Sequence, residues 1–231
     1  IRGAGMGQTI FEKNSGVSNT QFMQITGAGT LTIEDLTIKD FDVTSSYSKD
    51  GLGLDITSTG TTNVNRIHFQ NIGLDKGWNE GGGIYISGGT VNIDRCKFTD
   101  ATGSSSYYSS SYQYYALGSC IYVTGSGSTV SITNSLFYDN NVSYDPDNGI
   151  VYLDNGTTTI TNCTFTDNGN YGLDGIIWCD GGTATVKNSI LHGNTCDYVA
   201  AAKYNNDLSI SYCLHDDGVG GAVSETNRVG S

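Results

Sequence analysis

The apolar positions of this chain recur in a fixed figure that repeats along its length. Seven eight-residue segments superimpose without gaps: Leu31 to Ile38, Thr62 to Phe69, Val91 to Phe98, Val130 to Phe137, Thr158 to Phe165, Ala184 to Leu191 and Leu208 to His215. The third position is β-branched in every copy, as Ile33, Val64, Ile93, Ile132, Ile160, Val186 and Ile210. The sixth is small or apolar (Leu36, Ile67, Cys96, Ser135, Cys163, Ser189, Cys213), and the eighth is Ile38, Phe69, Phe98, Phe137, Phe165, Leu191 and His215. Alternate residues of a strand share a face, so positions three and six cannot both point inward from one unbroken strand. The fifth position (Asp35, Arg66, Arg95, Asn134, Asn162, Asn188, Tyr212) therefore marks a bend. Asn in successive bends is expected to stack its amides into a ladder that satisfies turn groups.

A further strand precedes each copy. Its inward pairs are Leu54/Ile56, Ile84/Ile86, Ile121/Val123, Val151/Leu153 and Ile177/Cys179. Subtracting successive residue numbers of the β-branched column gives periods of 31, 29, 39, 28, 26 and 24 residues. A helical repeat would hold one period, whereas stacked strand coils accept insertions between strands. The pattern predicts an all-β fold: a right-handed parallel β-helix of about seven to eight coils with three short strands per coil. It forms a single domain over 1–231 with a long loop insertion at 101–118.

Two motifs carry a resemblance. Gly81-Gly-Gly-Ile-Tyr-Ile86 followed by Cys96-Lys-Phe-Thr-Asp100, and Asn162-Cys-Thr-Phe-Thr-Asp-Asn168 after Ile150-Val-Tyr-Leu153, resemble the GGxI and FxxN repeats of polymorphic outer-membrane proteins and adhesin-like proteins. More broadly the chain is similar to the pectate-lyase-like β-helix superfamily. The resemblance implies the fold over nearly the whole chain. It does not select a function, because that superfamily includes lyases, hydrolases, tailspikes and inert stalks.

Composition narrows the functions. There are 11 basic and 23 acidic residues, a formal charge of -12, which opposes nucleic-acid binding. No apolar run approaches the roughly 18 residues that span a bilayer. The chain begins at Ile1 and is expected to be part of a longer precursor. Cysteines at 96, 120, 163, 179, 196 and 213 lack zinc spacing. Cys96, Cys163 and Cys213 share a column but occupy alternate coils, nearly 10 Å apart, too far to pair with one another. Cys120, Cys179 and Cys196 stay open to pairing, with no partner assigned.

Candidate chemistry falls on the outside. Tyr85, Tyr122, Tyr152 and Trp178 occupy one outward column and are expected to form an exposed aromatic ladder, either a platform for sugar rings or mere stacking. The insertion adds Tyr107, Tyr108, Tyr112, Tyr114 and Tyr115 among serines, a composition suited to adaptable contacts. Asp154 and Asp180 share a column at a separation that fits a pair of glycosidase carboxylates, yet both also sit in turn sequences. Asp145 and Asp147 could chelate calcium, so the cofactor expectation is none, or calcium alone. Asn141 and Asn155 head sequons in loops, and a third sequon at Asn162 is expected to be buried in the ladder. Taken together these features predict a non-catalytic extracellular or cell-surface protein, an adhesin, stalk or sheath subunit that self-associates or binds other surface proteins. A polysaccharide-directed enzyme or binding module is the alternative.

Overall fold

The computed structural model describes residues 1–14, 20–43, 50–74, 79–104, 106–109, 112–114, 116–143, 148–169, 175–203, 207–215, 219–221 and 223–226. Every strand pair among them is parallel except one hairpin, Ser106–Ser109 with Tyr112–Tyr114, inside the insertion. Three sheets build the wall of the coil. The largest, of fourteen strands, includes Thr30–Lys39 and Thr61–Gln70, which run on through the bend, and in later coils the separate halves Thr90–Asp94 and Lys97–Thr99. An eight-stranded sheet runs from Met23–Ile25 through Leu54–Ile56, Ile84–Ile86 and Ile121–Val123 to Val219–Gly221. A four-stranded sheet of short segments closes the remaining side in four coils, beginning with Asp42–Val43 and Gly73–Leu74.

Like side chains lie over like. Ile33 pairs with Val64, Val64 with Ile93, and the file continues through Ile132, Ile160 and Val186 to Ile210. All seven are buried. Phe69, Phe98, Phe137 and Phe165 stack with centroids 4.8, 4.7 and 4.3 Å apart and planes within 5°. Register and burial enforce each other, because slipping a strand by one residue would turn its whole apolar set into water.

The bend has a backbone cause. Asp35, Arg66, Arg95, Asn134, Asn162, Asn188 and Tyr212 all take the left-handed conformation, with φ between 49° and 63°. That conformation reverses the pleat and lets positions three and six both face inward. It also directs the bend side chains outward, where Asn162 Nδ2 donates to Asn134 Oδ1 at 3.4 Å as a rung of the expected amide ladder, exposed to solvent. The Asn162 sequon is accordingly open to solvent. Acidic and basic bends pair instead. Arg66 donates to Asp35 at 2.6 Å and to Glu34 at 2.7 Å, which holds the Asp35 carboxyl down at about 2.

A second left-handed column lies five residues on, at Asp40, Asn71, Asp100, Asp139 and Asp167. The residue after it turns inward, and there the buried ladder is found. Asn140 Nδ2 donates to Asn168 Oδ1 at 2.8 Å, and Asn168 Nδ2 to Asn194 Oδ1 at 3.0 Å. Each amide also donates to the carbonyl of the aromatic-column residue of the preceding coil: Phe98, Phe137 and Phe165 respectively. Each Oδ1 accepts a backbone N–H from the coil before it, those of Ala101, Asn140 and Asn168.

The alternation of Cys and Ser after the first bend has a similar origin. The N–H groups of Cys96 and Cys163 donate to Ser135 Oγ and Ser189 Oγ in the next coil. Their thiols donate back to Val64 O and Ile132 O. Cys96 and Cys163 do not pair with one another, as the column spacing predicts; both are free thiols, and so is the fully buried Cys120. Burial pushes the Cys96 thiol up to about 12 and that of Cys163 to about 11. A thiolate-selective reagent at pH 8 is therefore expected to leave Cys96, Cys120 and Cys163 unmodified until denaturant is added, as read by peptide mass spectrometry.

Candidate functional site

The outward face of the eight-stranded sheet gathers most of the chain's chemistry. Register places Asp55, Tyr85, Tyr122, Tyr152, Trp178 and Ala201 in one file. The rings of Tyr85 and Tyr122 stack 5.8 Å apart, and those of Tyr122 and Tyr152 5.1 Å apart. The ladder exists, but it is covered rather than exposed: Tyr122, Tyr152 and Trp178 retain only 5%, 4% and 7% of their accessible surface.

Part of the cover comes from the corner that leads into the strands of Asp55, Tyr85 and Tyr122. Gly51, Gly81 and Gly118 stand at that corner with φ of 58°, 63° and 62°. Each lies so close to the strand it enters that a Cβ would strike the carbonyl of Leu54, Ile84 or Ile121 at 2.4 to 2.5 Å. Only glycine meets both demands. The chain is thereby folded back over the strand. The residues just before these glycines, Asp50, Glu80 and Leu117, stack as successive rungs, with Glu80 in register with Leu117. Leu117 packs on the aromatic file.

Glu80 is the residue that the sequence pattern did not single out. Burial, reinforced by the fields of Asp50 and Asp154 and opposed by a hydrogen bond with Tyr122, pushes its carboxyl up to about 7. Burial together with Glu80, Asp50, Asp55 and Asp154 raises the Tyr85 phenol to about 12. Tyr122 and Tyr152 are raised further still, again chiefly by burial. The charges of four carboxyl groups thus act on one end of a tyrosine stack, and one of the four has its pKa raised to about 7. A carboxyl that binds its proton more tightly folded than unfolded stabilises below its unfolded pKa and loses that contribution as pH rises towards its folded value. Stability is therefore expected to fall between about pH 4.5 and 7. In Glu80→Gln this slope should flatten and the neutral-pH melting temperature should rise, a comparison that calorimetry across the range would make.

The two carboxylates singled out from sequence occupy one register column in adjacent coils, where Asp154 N–H donates to Val123 O and Asp180 N–H to Leu153 O. Both are engaged. Thr124 donates its hydroxyl to Asp154 at 2.8 Å, while Asp180 accepts the Tyr152 hydroxyl at 3.0 Å and faces Lys203 at 3.7 Å. Asp55 accepts Gln24 Nε2 on one oxygen, and its other oxygen is buried without a hydrogen bond, as is Trp178 Nε1. Among the described residues no cluster of three His, Cys, Asp or Glu side chains is placed to hold a metal. Asp145, Asp147 and Tyr115 lie outside the described residues. Tyr107, Tyr108, Tyr112 and Tyr114 belong to the hairpin strands, of which the backbone is described and the side chains are not. Asn141 and Asn155 are exposed.

A cleft of about 650 Å³ lies elsewhere, on the four-stranded sheet near the first coil. It is lined by Glu12, Lys13, Asp40, Asp42, Asn71 and Thr102 among others, and its charges are largely paired, Lys13 with Asp42 and Lys39 with Glu12 and Asp40. Among the described residues no helix is long and apolar enough to cross a membrane.

No curated protein and no solved structure matches the chain. A family model described as a right-handed β-helix region matches residues 3–228, nearly the full length. With its parallel sheets, stacked inward files and short connecting corners, the chain belongs to the right-handed β-helix family.

Proposed function

We propose that this β-helix is a non-catalytic segment of an extracellular surface or structural protein, and that it stacks end to end with further coils of a second copy. The observation that carries the reading is the stacking itself: parallel strands pair coil to coil along the large sheet, and like side chains lie over like from Ile33 to Ile210. Ile10 and Phe11 are exposed on the strand that pairs with Thr37–Lys39. A parallel sheet accepts a further strand, and a head-to-tail contact repeats into a filament. The formal charge of -12 works against such association, so it should strengthen as salt screens the repulsion. Exposed sequons at Asn141 and Asn155 fit an extracellular setting.

The test is light scattering and electron microscopy over a concentration series at low and high salt. Rods that lengthen with concentration, and shorten in Phe11→Asp, are the expected result. Monomers alone at high concentration and high salt would count decisively against assembly.

One observation favours a second reading, a carbohydrate-active site: burial and the fields of Asp50 and Asp154 raise the Glu80 carboxyl to about 7, the range in which a general acid works. Its assay is direct. New reducing ends from acidic or neutral polysaccharides, abolished by Glu80→Gln, would establish it, and their absence with calcium present would dismiss it.

A further inference from the structure

The face of the large sheet that precedes the first bend carries three outward columns: the one beside the bend (Glu34, Asn65, Asp94, Thr133, Thr161, Lys187, Ser211) is mixed in charge, and the other two are out of keeping in composition with the rest of the molecule. One is Thr30, Thr61, Thr90, Thr129, Thr157, Thr183 and Asp207; the other is Thr32, Asn63, Asn92, Ser131, Thr159, Thr185 and Ser209, each residue in register with the next. In a chain of net charge -12, thirteen of these fourteen positions are uncharged Thr, Ser or Asn, and none is aromatic. The turns that border the first column continue the theme with Gly29, Gly60, Gly89, Gly127, Gly156 and Gly182. Thr30, Thr90, Thr129, Thr157 and Thr183 are exposed, and the second column is half-buried, as the middle of a flat surface must be.

Three physical properties follow. Eleven hydroxyls and the two amides of Asn63 and Asn92 repeat at about 4.8 Å along the rod and about 6.6 Å along each strand, so the two columns form a two-dimensional lattice. Threonine's branched Cβ restricts χ1, so hydroxyl and methyl are held in place with little rotamer entropy left to lose on binding. A few contacts tie the second column to itself, Asn63 donating to Thr32, Asn92 to Asn63 and Ser209 to Thr185. The remaining hydroxyls therefore look to solvent. From Thr30 to Thr183 and from Thr32 to Ser209 these two columns hold no charged side chain, and without aromatic rings they lack the stacking platform that sugar rings favour.

We propose that this threonine face binds ice: the rows order water into a lattice-like layer that joins the surface of a growing crystal. The inference goes beyond the structural role and uses a different face. The experiment is growth of a single ice crystal in solutions of the intact chain, with measurement of thermal hysteresis and of the protein taken up into the ice. The expected result is faceted growth, a gap between melting and freezing temperatures, and enrichment in the ice. Thr159→Tyr and Ser131→Tyr, which raise a ring from the flat face, should lose all three while keeping the wild-type circular dichroism and melting temperature. Tyr138→Lys, exposed beyond the bend, should keep them. Exclusion of the wild-type chain from ice overturns the proposal, as does full activity in the folded Thr159→Tyr variant. Retention on crystalline cellulose or chitin with none on ice would likewise overturn it and reassign the face to a polysaccharide.

Discussion

Phe137→Ala is expected to lower the unfolding free energy by about 3–5 kcal/mol, the range for removing a fully buried phenyl ring. Phe137 is 0% exposed and is stacked on both sides, against Phe98 at 4.7 Å and Phe165 at 4.3 Å. Truncation opens a void in the middle of the file and removes two ring contacts at once. Each such contact is worth about 0.5–1.5 kcal/mol beyond burial. Because each coil touches only its neighbours, the loss should be local. Amide exchange should accelerate in the strands holding Phe98, Phe137 and Phe165 before it does at Ile38 or Leu191. Phe137→Leu should cost much less, since the same column already holds Leu191 and Ile38 in other coils. Uniformly faster exchange throughout the chain would argue against coil-by-coil stability.

Asn168→Leu should be nearly as damaging for a different reason. The leucine fills similar space but leaves the carbonyl of Phe137 without its donor and the N–H of Asn140 without its acceptor. Each buried orphan costs about 1–3 kcal/mol, so about 2–6 kcal/mol in all. Chemical denaturation would measure it. Asn168→Asp supplies the diagnostic: a carboxylate cannot donate to Phe137 O or to Asn194 Oδ1, so the variant should be weak at neutral pH and recover part of its stability once acid protonates the side chain. A pH-independent loss would mean that shape rather than hydrogen bonding governs the position.

The inward files could be read from the chain because they repeat one chemistry at one place in every coil, as Ile33 to Ile210 and Phe69 to Phe165 do. The amide ladder at the bend was legible, and the buried one beyond it was missed. Asn recurs at two sites per coil, 134/162/188 and 140/168/194, and only the left-handed backbone at the first decides which set turns inward. The second left-handed column, Asp40 to Asp167, had a visible signal in Asp and Asn recurring five residues after each bend. The aromatic file was found but given the wrong environment, because part of its cover comes from a corner whose length varies between coils. The glycines at 51, 81 and 118 were the available clue to that fold-back, and with them to Glu80. No strand pattern reports how far a corner lies over its neighbour.

The hydrogen bonds that join one coil to the next run parallel to the long axis of the molecule, as the unbroken parallel pairings along all three sheets require. A tensile load drawn between the two ends therefore meets these bonds in series, and one coil peels away at a time. Extension under such a load should proceed in steps of one coil. The same molecule pressed sideways meets covalent chain around every turn. A molecule built this way should therefore answer a load along its axis differently from one across it.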